Sequence, residues 1–174
     1  MNKKFIIWHI FLTFAFGFLI HGIYSWIPSP ITSIFPVNES LFEHVKLIFY
    51  SPIFSSIILY FIFKRKGYII NNFLFGLMVS IVFNIFIFYL IFLPIYYEIG
   101  ENLTITLIIY FISICLSGYM YYLIINGSFD SRKLNVISCI ILLLIAIVLT
   151  YFTYNPLKID FFRDPKNNSY GLKK

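Results

Sequence analysis

Five apolar runs, each close to or above the ~20 residues that an α-helix needs to cross a bilayer core, dominate this sequence at 5–27, 41–63, 68–93, 103–125 and 136–152. Runs of that length and composition are read as membrane-spanning helices. The expected fold is therefore an all-α, polytopic transmembrane helix bundle of about five spans. Only 11% of the 174 residues are charged and 60% are hydrophobic, against roughly 25% charged in a soluble domain. A water-soluble globule is excluded, and the length leaves no room beyond a single membrane domain, 1–174.

The punctuation agrees with this partition. Pro28 and Pro30 close the first run, Lys64, Arg65 and Lys66 stop the second, and Pro94 is expected to end the third, because proline lacks the N–H that continues a helix. Pro52 should kink the second span. Asn126 and Gly127 end the fourth. The first run follows Lys3 and Lys4 as a signal peptide would, but it is longer than a signal core and lacks a small-residue cleavage site, so it is kept as a span. Residues 153–174 carry charges and two prolines and cannot span. With Phe161 and Phe162 they are expected to lie along the outer interface, where aromatic rings prefer to sit.

The formal charge of +6 raises the question of nucleic acid. The cations are scattered between spans and form no continuous basic face, so nucleic acid is excluded as a partner. The charge is better read as topology in the plasma membrane. Lys3, Lys4, Lys64, Arg65, Lys66, Arg132 and Lys133 fall on alternate loops, with Glu39, Glu98 and Glu101 on the others. Basic loops stay cytoplasmic, which places the N-terminus inside. The tail, rich in cations yet outside by this count, is the exception.

Small and polar residues recur at helical spacing: Thr13, Gly17, His21 and Ser25 in the first span, and Asn72, Gly76, Ser80 and Asn84 in the third. Lipid tails give helices no hydrophobic reason to associate, so such stripes mark where helices approach closely. Cys115 and Cys139 lie in different apolar runs and read as packing residues, with no disulfide.

Chemistry concentrates in Asn38-Glu39-Ser40-Leu41-Phe42-Glu43-His44-Val45-Lys46. Ser40 and Glu43 have capping-box spacing, which is a sufficient structural reason for Glu43. It does not account for His44 or Glu39. His21, with Tyr24 one turn on, approaches the same end of the bundle from the first span, whereas His9 lies ~18 Å deeper. Two imidazoles and one or two carboxylates make His21, His44 and Glu43 candidate ligands for a divalent metal such as zinc. Glu39, Glu43 and His44 are the candidate catalytic residues. The wider polar cluster is His21, Tyr24, Asn38, Glu39, Ser40, Glu43, His44 and Lys46, joined by Asp164 of the tail.

Three separated segments resemble an uncharacterised family of small bacterial integral membrane proteins, domain of unknown function 6512. They are His21-Gly-Ile-Tyr24-Ser-Trp26, Pro36-Val-Asn38-Glu39-Ser40-Leu-Phe42-Glu43-His44-Val-Lys46, and Phe162-Arg-Asp164-Pro165 with Tyr170-Gly171. The resemblance implies a membrane location and no particular activity. It groups His21, Glu39, Glu43, His44 and Asp164.

Two functions fit these residues. One is a binding, sensing or accessory membrane protein that recognises a small ligand, a lipid headgroup or a membrane-protein partner. The other is a membrane-embedded, metal-dependent hydrolase or transferase in which a carboxylate activates a bound water. The sequence contains no G-x-S-x-G, H-E-x-x-H, phosphate loop or paired C-x-x-C. A solute carrier would have only Asn72, Ser80 and Asn84 to line its path.

Overall fold

The computed structural model describes residues 3–172, which form five long helices: α1 (Lys4–Trp26), α2 (Leu41–Arg65), α3 (Phe73–Ile99), α4 (Leu103–Asn126) and α5 (Arg132–Tyr154). Short 3-10 turns at Thr32–Ile34 and Asp160–Phe162 interrupt the first loop and the tail. No strand occurs among the described residues, apart from an isolated bridge between Arg163 and Tyr170. All five helices are long and apolar enough to cross a membrane. The protein is a multi-pass membrane protein.

Helix α2 is the centre of the bundle. Over its most apolar stretch 56% is buried, against 22% for α1 and α5, so those two present most of their surface to lipid. Helix α2 packs on α1 and α3, α1 also on α4, and α3 on α4 and α5. The small residues explain the close approaches. Gly17 faces the Tyr110 ring, Gly118 faces Ile10, and Gly76 faces Tyr121. The buried hydroxyls of Ser80, Ser113 and Ser117 donate to carbonyls of their own helices, so they are buried without needing a partner across the interface.

Both ends of α3 differ from the sequence expectation, and α5 starts at Arg132, four residues before the expected 136. Helix α3 starts at Phe73 instead of 68, because residues 68–72 are clipped onto the α4–α5 turn. The Asn71 N–H donates to the Ile125 carbonyl, Asn72 Nδ2 to the Phe129 carbonyl, and the Ser131 N–H to Asn72 Oδ1. Helix α3 also runs through Pro94 to Ile99. Proline removes one hydrogen bond, whereas ending the helix inside an apolar medium would orphan several more groups. The stop comes at Gly100, whose φ of +78° turns the chain while its N–H donates to the Tyr96 carbonyl.

After α5 the tail folds back over one end of the bundle as a strap. Phe162 stacks on Phe42 of α2 with ring centroids 4.3 Å apart. The Leu172 N–H donates to the Thr153 carbonyl, and Asn38 Nδ2 to the Gly171 carbonyl. Gly171 has φ +57°, and a Cβ there would collide with the Thr153 carbonyl. Glycine is therefore required where the strap closes on α5.

Candidate functional site

The C-terminal end of α1, the N-terminal end of α2 and the strap meet around Glu39. Its Oε2 lies 3.3 Å from His21 Nε2 and 3.6 Å from His44 Nε2, while Oε1 accepts a hydrogen bond from Lys166 Nζ at 2.9 Å. One ligand atom each from His21, Glu39 and His44 lies within 4.8 Å of the others. The α2 helix start positions two of the three. Ser40 caps it, accepting from the Glu43 N–H at 3.3 Å, and Asn38 Oδ1 accepts from the Ser40 N–H at 2.9 Å. That turn aims Glu39 at α1.

The hydrogen bonding fixes the His44 tautomer. Nδ1 is 2.9 Å from the Ser40 carbonyl, an acceptor only, so Nδ1 carries the hydrogen and a neutral ring directs its Nε2 lone pair at Glu39. A lone pair facing a carboxylate is unfavourable unless a metal ion, or a proton on Nε2, lies between them. Metal-bound histidines are oriented in this way, with the outer N–H on a carbonyl. Distances agree: zinc bonds of ~2.1 Å at tetrahedral angles separate ligand atoms by ~3.4 Å, whereas a charge-assisted hydrogen bond is shorter, at ~2.7–2.9 Å. The observed 3.3 and 3.6 Å lie on either side of the metal value. His21 is 42% exposed and has room to adjust as the two imidazoles close on an ion.

The His21 imidazole beside it holds the Glu39 carboxyl far below its ordinary 4.5, down to about 2. Burial works against this, and the bond from Lys166 and the nearby imidazoles add to it. The Lys166 ammonium is raised in turn by Glu39. Because the Glu39 value is depressed on folding, its stabilising contribution is complete above about pH 4.5 and is lost as pH falls through about 2. At neutral pH the group is a carboxylate, ready to ligate.

Glu43 lies elsewhere. Its Oε2 accepts from Lys46 Nζ at 2.7 Å and from the Val37 N–H at 3.0 Å, and its Oε1 accepts from Thr153 Oγ1 at 2.9 Å. Lys46 spends its remaining donors on the Ser33 and Phe35 carbonyls. This buried pair ties the first loop, α2 and α5 together, and both Glu43 oxygens are engaged. The structure thus separates Glu43 from the His21–Glu39–His44 triad. It also completes only half of the capping box, since the Glu43 carboxylate bonds Val37 and not Ser40.

Asp164 is likewise a scaffold residue. Its carboxylate accepts from the Lys166 N–H at 2.9 Å and from Asn167 Nδ2 at 2.8 Å, shaping the turn that delivers Lys166 to Glu39. Tyr24 and Asn38 border a separate cavity with Asp164. Sequence reasoning missed Lys166, an exposed tail lysine with no local signal, and Thr153, which resembles any other helix threonine. Glu101 borders a small cavity of about 40 Å³ shared with Glu39 and His44. Beneath the triad, a larger cavity of about 300 Å³ lies between α1, α2, α3 and α4, with His21 and His44 in its wall.

A family model described as a family of unknown function (DUF6512) matches residues 1–172. The chain belongs to that family. In this DUF6512 protein the three segments that carry the resemblance converge: one closes α1, one opens α2, and one forms the strap that brings Lys166 to Glu39. No curated protein and no solved structure is similar enough to the chain to match it.

Proposed function

We propose that this DUF6512 protein is a plasma-membrane protein with its N-terminus in the cytoplasm, and that it binds a divalent metal ion at its outer face through His21, Glu39 and His44. Its role on this reading is binding or sensing. The observation that carries it is the pair of His Nε2 to Glu39 Oε2 separations, 3.3 and 3.6 Å, with the His44 tautomer set by the Ser40 carbonyl. Three protein ligands leave a coordination position open for water or another ligand, as in zinc sites that handle exchangeable groups.

The test is calorimetric titration of the purified, chelator-stripped protein with zinc. One equivalent is expected to bind, and His44→Ala should lose more than the ~10–100-fold that removing an outer-shell partner costs. Asp160→Asn, at an exposed position, should leave the titration unchanged. Equal zinc affinity in the wild type and His44→Ala would refute the site.

A second reading, a metal-dependent hydrolase or transferase, is favoured by one observation. Glu101 lines the small cavity that Glu39 and His44 also border, which makes it the candidate general base once Glu43 is committed to Lys46. If this reading holds, Glu101→Gln abolishes turnover without weakening zinc binding.

A further inference from the structure

The 300 Å³ cavity beneath the triad is apolar apart from groups that are already engaged. Phe18, Leu47, Leu103 and Leu107 supply much of its wall, with His21 and His44 at the end nearest Glu39. Of its other polar groups, the Thr106 hydroxyl donates to the Asn102 carbonyl, and the Tyr110 hydroxyl lies 3.2 Å from Ser51 Oγ. Water entering it would find few partners, and apolar cavities of that kind stay dry or take a hydrocarbon.

The helix packing explains why the space exists. Helices α1 and α4 touch where Gly17 meets Tyr110 and Gly118 meets Ile10. One turn nearer the triad, residues of the same two helices line the cavity. Phe18 and Leu103, 51% and 71% exposed, lie on the lipid-facing side. A chain can therefore enter sideways from the bilayer. The volume sits at the lower end of small-ligand pockets, which suits one hydrocarbon chain and not two.

We infer that the cavity seats the single hydrocarbon chain of an anionic amphiphile whose phosphate-type headgroup occupies the open position of the metal held by His21, Glu39 and His44. The inference rests on the metal reading above. Charge selects the headgroup: a divalent ion with one carboxylate and two neutral imidazoles keeps a net positive charge, and Lys166, 64% exposed, adds another beside Glu39. A phosphate oxygen is a hard ligand that such an ion accepts. The head anchors at the water interface while the chain lies in the cavity, so recognition needs both halves of one molecule.

The experiment uses the full chain in a nonionic steroid detergent, which has no linear chain to fill the cavity. Decyl phosphate and inorganic phosphate are titrated into the zinc-loaded and the zinc-free protein. Decyl phosphate should bind the zinc-loaded protein at least ~10-fold more tightly than inorganic phosphate, because its methylenes leave water, and should weaken when zinc is removed. Leu107→Trp fills the cavity away from the ligands. It should reduce decyl phosphate to the level of inorganic phosphate while zinc affinity stays unchanged. Should that variant fail to fold, Leu103→Trp at the rim makes the same test.

Zinc binding with no preference for decyl phosphate, or a preference that both tryptophan variants leave intact, overturns this inference and leaves the metal reading standing. Absence of zinc binding overturns both.

Discussion

Glu43 and Lys46 are charges at 1% and 0% exposure, joined at 2.7 Å and supplied with partners from a loop and from α5. Taking two ions out of water is costly, and removing one of them leaves the other uncompensated, at a cost of ~3–5 kcal/mol. Glu43→Gln alone and Lys46→Met alone should each lower thermal stability in detergent severely. The double variant should cost well under the sum, because the second change removes a group the first has stranded. Strictly additive losses would show that the two side chains do not depend on each other. Val37 keeps an acceptor in Glu43→Gln, so residual damage in the double variant should fall on the Ser33 and Phe35 carbonyls that Lys46 serves.

At the scale of the helix, Gly17 and Gly22 make a matched comparison within α1. A Cβ on Gly17 would come within 2.7 Å of Tyr110 Oη, whose ring is held between helices and whose hydroxyl reaches Ser51. A Cβ on Gly22 also meets an aromatic ring, that of Trp26, but that side chain is 64% exposed and free to swing away. Gly17→Ala is expected to destabilise by ~1–3 kcal/mol through overpacking, and Gly22→Ala to leave the melting temperature nearly unchanged. Equal effects would mean that α1 and α4 do not meet at Gly17. The sequence carried this element-level information well, because apolar length and small-residue spacing are local properties of each helix. It carried the role of Glu43 badly, since S-x-x-E spacing suits a cap while its partners Val37, Lys46 and Thr153 depend on how a loop and a distant helix fold. Pro94 misled for a similar reason: local propensity marks a break, but the apolar surroundings give the freed backbone nowhere to go. The His21–Glu39–His44 grouping was half visible. Its two histidines stood out as ionisable groups at similar depth, whereas Lys166, fourteen residues past the last apolar run, had no pattern to announce it.

Across the whole molecule, five helices place the first and last described residues on opposite sides of the bilayer, so the strap shares a side with the triad. The cations divide unevenly. Lys64, Arg65, Lys66, Arg132 and Lys133 lie at or beside the helix ends that border the two turns on the side away from the triad, and basic residues close to helix ends set orientation. On the triad side Lys46 is buried against Glu43, Lys166 binds Glu39 and Arg163 binds Asp160 at 3.2 Å. Those tail cations emerge only after the last helix, when the earlier loops have already committed the chain. The expected arrangement therefore has the triad outside. Cysteines placed at exposed Lys66 and Arg132, in a background with Cys115 and Cys139 replaced, should be protected from an impermeant thiol reagent in intact cells. Cysteines at exposed Glu98 and Lys158 should react. Labelling of Lys158 but not Glu98 would break the five-helix crossing pattern, and complete reversal of all four would put the His21–Glu39–His44 triad on the cytoplasmic face.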